Sequence, residues 1–187
     1  MDNIVSYLRE LNFVTMIIRI VLAFLCGGLI GMQRERHGRS AGFRTHIIVC
    51  IGSALTAMTG IFMSDILGFD TNPMRLSAQV LSGIGFLGVG TILVTGHTHV
   101  KGLTTAAGLW TIAAVGLAIG AGFYEAAILC VIILAIVMAY LGNFGSRRIK
   151  MDIYLEITGS RNINTVIKDI KKAGYTIHNI EVHSAKS

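Results

Sequence analysis

The sequence predicts an α-helical integral membrane protein, with about five transmembrane helices over residues 1–146 and a small cytosolic βαβ tail over residues 147–187. Three observations carry this. Of the 187 residues, 53% are hydrophobic and only 14% charged, against roughly 25% charged in soluble domains. The apolar stretches are long and separated by short polar breaks. The Lys and Arg residues collect in alternate breaks and in the tail, as membrane topology requires.

A helical span needs roughly 20 mostly apolar residues. Residues 14–32, 47–67, 77–95, 104–122 and 126–144 qualify in turn, the fourth being the most diluted by Thr and Gly. The first segment reads as a retained anchor and not as a cleaved signal. Arg9 is the basic residue before it, no small-residue cleavage site follows, and the basic run Arg34-Glu35-Arg36-His37-Gly38-Arg39 flanks it instead.

Orientation follows from the loops. Arg34, Arg36, Arg39 and Arg44 follow the first span, Lys101 follows the third, and Arg147, Arg148, Lys150, Arg161, Lys168, Lys171, Lys172 and Lys186 lie in the tail. The opposite side has Arg9 and Arg75. This places the N-terminus outside and the tail in the cytosol. The net charge of +6 is then topology, with contact to anionic lipid, and not the footprint of a nucleic acid.

In the tail, Ile153, Leu155 and Ile157 alternate with polar residues as in a strand. Asn162 caps a helix with Ile163, Val166, Ile167 and Ile170 on one face, and Gly174 stops it. Tyr175, Ile177, Ile180 and Val182 form a second strand with a bulge at His178-Asn179. One βαβ unit is too small for its own core and leaves strand edges bare. A second copy is expected to complete a four-stranded ferredoxin-like sheet, making the chain a homodimer or higher homo-oligomer.

Several motifs carry candidate chemistry. Gly83, Gly85 and Gly88 match a dinucleotide-binding G-x-G-x-x-G, but no strand precedes them and they lie within a span. With Gly90 they read as helix packing or as an unwound segment lining a cavity. Gly27 and Gly31, and Gly116 and Gly120, are spaced for close helix packing. Arg19 lies in the first span and Asp65 near the end of the second. An unpaired charge there is costly, so they are expected to pair with each other or to face a wet cavity. Asp65, Asp70 and Glu125 fall at the outer face, where hard divalent cations such as Mg²⁺ would find oxygen ligands. Arg75 and Gln79 share a helix face. Cys26, Cys50 and Cys130 read as inert thiols, and His37, His46, His97 and His99 as solvated. No nucleophile stands with a base at a recognisable spacing, and no P-loop, H-E-x-x-H or G-x-S-x-G occurs. An enzyme and a bound cofactor are therefore not expected.

Three blocks of sequence resemble the MgtC/SapB family, in that family's order. They are Gly27-Gly28-Leu29-Ile30-Gly31-Met32-Gln33-Arg34-Glu35-Arg36 with Gly38-Arg39-Ser40-Ala41-Gly42-Phe43-Arg44-Thr45 and Gly52-Ser53-Ala54-Leu55, then 72–88, then 100–110. The resemblance implies a bacterial inner-membrane protein, often with a cytosolic ACT-like domain, of which this tail would be half. It also implies a link to growth in low magnesium and to virulence, through regulation of other membrane proteins such as an ATP synthase or a cation transporter. Many relatives have Asp where this chain has Asn72. Arg34, Glu35, Arg39, Arg44, Arg75 and Gln79 are the family-motif residues expected to carry function. Three readings stand open: a regulator of membrane proteins, a cation (Mg²⁺) transporter or channel, and a ligand sensor acting through an oligomeric tail.

Overall fold

In a computed structural model of the chain, residues 2–70, 72–95, 99–140 and 163–175 are described. The chain divides into two compact units, Met1–Arg147 and Arg148–Ser187.

The first unit is a helical bundle. Its helices are α1 (Asp2–Arg9), α2 (Phe13–Arg36), α3 (Phe43–Ile61), α4 (Met74–Gly90), α5 (Leu103–Gly120) and α6 (Tyr124–Tyr140). The α3 rod runs on through a π-helical turn, Phe62–Ile66. Three rods are long and apolar enough to cross a membrane: Phe13–Arg36, Phe43–Ile66 and Leu103–Gly120. The α6 helix is apolar but shorter, at 17 residues.

Local signals set these boundaries. Asn12 accepts from the Thr15 N–H at 2.9 Å while Thr15 Oγ1 accepts from the Asn12 N–H at 2.9 Å, a reciprocal cap that starts α2. Asn72 Oδ1 accepts from the Met74 N–H at 2.8 Å at the start of α4. The span expected over 77–95 is shorter than its hydropathy suggested. The helix stops at Gly90, and the β-prone Ile92-Leu93-Val94 enters a hairpin of β1 (Leu93–Thr95) and β2 (His99–Lys101). Its antiparallel register pairs Leu93 with Lys101, Val94 with Val100 and Thr95 with His99. Gly102, at φ 99°, turns the chain into α5, a conformation that glycine adopts without strain.

The α3 helix packs chiefly between α2 and α5. Glycines make the close contacts: a Cβ on Gly116 or Gly120 would overlap the carbonyl oxygen of Cys50 or Ala54, and one on Gly27 would stand 2.7 Å from the His46 carbonyl oxygen. The core holds Ala23, Cys26, Ile30, Cys50, Ala54, Ile112, Val115 and Ile119. Large apolar side chains point outward all round, such as Phe13, Ile48, Phe86 and Tyr140, as lipid contact demands.

In the second unit the described element is α7 (Ile163–Lys172). Val166, Ile167 and Ile170 are half-buried while Lys168, Lys171 and Lys172 are exposed. Gly174, at φ 86°, ends the helix. The strand expected over 153–157 and nearly all of the one over 175–182 lie outside the described residues.

Candidate functional site

Two buried arginines mark opposite ends of the first unit. Arg19, fully buried in α2, does not pair with Asp65 as expected. Its Nε donates to the Tyr124 hydroxyl at 3.0 Å and its Nη1 to the Gly120 carbonyl at 2.8 Å. Its Nη2 donates to the Arg9 carbonyl at 2.8 Å, with longer bonds to the carbonyls of Leu8 and Glu10. These acceptors end α1 and α5, where the helix dipole favours a cation. That removes the need for a carboxylate, and Asp65 sits exposed on the π-helical turn.

Arg34 is held differently. It is 5% exposed, its Nη2 donates to Thr105 Oγ1 at 2.9 Å, and among the described residues its Nε has no hydrogen-bond partner. Beside it His46, fully buried, sets Nδ1 2.9 Å from the Gly42 carbonyl, and its Nε2 has no partner among the described residues. His46 Nε2 lies 3.9 Å from where a Cβ on Gly108 would be, one turn beyond Thr105 on α5. His46 is thus an interior residue, not a solvated one. Glu35, next to Arg34 in sequence, accepts from the Phe43 N–H at 2.9 Å, placing a carboxylate at the N-terminus of α3. Arg39 and Arg44 are exposed, and the charge of Arg39 acts on Arg34. Of the basic motif residues, Arg34 alone among these three is drawn into the bundle.

Arg75 and Gln79 share a groove of about 300 Å³ with Asn72, Pro73, Leu76, Ala78, Gly60 and Met63. It lies between the start of α4 and the π-helical turn, at the end of the bundle away from Arg34.

The three acids expected at the outer face are not gathered into one cluster. Among the described residues no three His, Cys, Asp or Glu side chains come together to hold a metal. Asp65 and Asp70 are exposed, and Glu125 pairs with Arg9 at 2.7 Å. The glycines of α4 divide. The helix is continuous from Met74 to Gly90, so it is not unwound. Gly88 alone of the four packs, against Ala106, while a Cβ at Gly83, Gly85 or Gly90 would meet nothing within 4 Å.

Sequence reasoning missed His46 and Thr105. A signal for His46 existed: it leads the stripe His46, Cys50, Ser53, Ala54 and Ala57, all buried on α3, at helical spacing. Nothing comparable marks Thr105.

The MgtC family profile matches residues 20–147. YhiD of Escherichia coli (strain K12), named as a candidate magnesium transporter, is 38% identical over 146 residues, covering 76% of this chain and 67% of YhiD. Protein MgtC of Brucella abortus (strain 2308) is 47% identical over 115 residues, covering 61% of this chain and 46% of that protein. Protein SapB of Bacillus subtilis (strain 168) is 28% identical over 177 residues, covering 89% of this chain and 76% of SapB. No solved structure matches the chain.

Proposed function

Because the chain belongs to the MgtC family, we propose that it serves magnesium homeostasis in a bacterial inner membrane by acting on other membrane proteins, and does not itself carry Mg²⁺. One observation supports this most. The buried charged side chains among the described residues are Arg19 and Arg34, and between them lies an apolar core of Ala23, Cys26, Ile30, Cys50, Ala54 and Ile112. A dication moving through such an interior would shed water without meeting a carboxylate and would pass two guanidinium groups. In this reading α2 to α6 make five spans, with the shorter α4 and α6 accommodated by local thinning of the bilayer. The basic Arg34 end faces the cytosol, and the tail pairs with that of a second copy.

Cation flux into liposomes containing the purified full-length protein, read with an entrapped Mg²⁺ indicator, tests the proposal. It predicts no flux above empty liposomes from protein shown to be folded and inserted. Protein-dependent flux that falls in Asp65→Asn would establish a transporter with an acidic entrance and overturn it.

A further inference from the structure

The Arg34 end carries an unbalanced charge. The backbone of Arg34 is in the last turn of α2, where a cation is favourable, but its guanidinium reaches the first turn of α5 at Thr105. That helix begins at Gly102 with no side-chain cap. Its first N–H groups and its dipole call for an anion. At the start of α3 the same need is met by Glu35. At the start of α5 the group supplied is instead a second positive charge, and among the described residues the ion pair formed is Arg9–Glu125, at the other end of the bundle.

The two unpartnered atoms define what would satisfy the site. Arg34 Nε–H is a donor. His46 Nδ1 faces a carbonyl oxygen, so it holds the ring proton, and Nε2 of the neutral imidazole is an acceptor. A water molecule could meet both atoms, but the charge would stay uncompensated. A group carrying both an anionic oxygen and an O–H meets both atoms and the charge.

We propose that Arg34, His46 and the first turn of α5 at Thr105 bind a hydrogen phosphate group. Its anionic oxygens accept from Arg34 Nε–H and from the α5 N-terminus, and its P–O–H donates to His46 Nε2. The space beside the imidazole at Gly108 is filled by Met138 of α6, whose Cε lies 2.9 Å from the position of a Gly108 Cβ. An unbranched thioether can swing aside to admit a ligand. Inorganic phosphate and the monoester headgroup of phosphatidic acid offer this chemistry, whereas sulfate offers the charge without the O–H. The inference goes beyond the proposed function and holds whether or not the chain carries Mg²⁺.

The test is the unfolding midpoint of the delipidated full-length protein, titrated with inorganic phosphate and with sulfate. Retention of phosphatidic acid over phosphatidylcholine, measured by native mass spectrometry of protein from nanodiscs holding both lipids, is the second arm. Phosphate should stabilise the protein at concentrations at least about tenfold below those at which sulfate does. Arg34→Gln should abolish the effect. Should that variant fail to fold, His46→Phe, which keeps the ring volume, should abolish the preference for phosphate. A phosphate response without retention of phosphatidic acid identifies a free phosphate as the ligand, and retention together with a phosphate response identifies the lipid headgroup. Retention of phosphatidic acid without a phosphate response identifies the lipid. A wild-type protein that responds to neither, or for which sulfate equals phosphate, would overturn the proposal.

Discussion

Arg19 and Arg34 are both buried, both on α2, and about four helical turns apart, yet they are surrounded in opposite ways. Arg19 points its three nitrogens at carbonyl oxygens that end α1 and α5 and at the Tyr124 hydroxyl. Its Nη1 and Nη2 donors serve helix ends that need them, and the Tyr124 hydroxyl that Nε meets donates in turn to the Leu8 carbonyl. Arg34 has one side-chain bond, to Thr105, an unpartnered Nε, and the N-terminus of α5 in front of it. The difference teaches that burial of a charge does not by itself mark function. A guanidinium at helix C-termini is a structural clamp, while the same group at an uncapped N-terminus is left with a need that the described residues do not meet.

The largest effect expected from breaking this contrast is at the clamp. Arg19→Gln removes bonds to α1, to α5 and to Tyr124 together, and leaves buried carbonyls unpaired. Loss of about 3 kcal/mol or more of stability is expected, measured as a drop in unfolding free energy in detergent, and a mutant of wild-type stability would show that the clamp is dispensable. The glycines sharpen the same contrast between structural and open surfaces. Gly116→Ala drives a methyl group into the Cys50 carbonyl and should destabilise by about 1–3 kcal/mol. Gly83→Ala meets open space and should stabilise α4 by about 0.5–1 kcal/mol. A Gly83→Ala protein that unfolds more easily would mean that a partner already packs on that face.

Much of this was legible in the sequence, and the failures have physical causes. Hydropathy located α2, α3, α5 and α6 because each is a nearly continuous apolar run. It overran α4, because Ile92, Leu93 and Val94 are as apolar as a helix end and only their β propensity separates them. It gave no sign of α1, a polar helix whose carbonyls serve Arg19. The spacing of Gly27 with Gly31 and of Gly116 with Gly120 correctly marked packing faces, since close approach depends only on the missing Cβ. Gly83, Gly85 and Gly90 carry the same residue type but face away from the bundle, and spacing does not reveal which side of a helix has a neighbour. The pairing of Arg19 with Asp65 failed for a related reason. The sequence leads one to expect an acid or a wet cavity beside a buried cation, and helix carbonyls supply the same compensation without either. Arg34 was singled out from its motif, but the two residues that give it chemical meaning, His46 and Thr105, come from α3 and α5 and meet only in the folded bundle.

The most direct test of the contrast is a side-by-side measurement of the unfolding free energies of Arg19→Gln and Arg34→Gln in phosphate-free detergent. With no anion present, Arg34→Gln removes a buried charge that nothing compensates. It should stay within about 1 kcal/mol of the wild-type protein, while Arg19→Gln falls well below it. Equal losses in the two variants would contradict the account, because Arg34 would then be as much a structural clamp as Arg19.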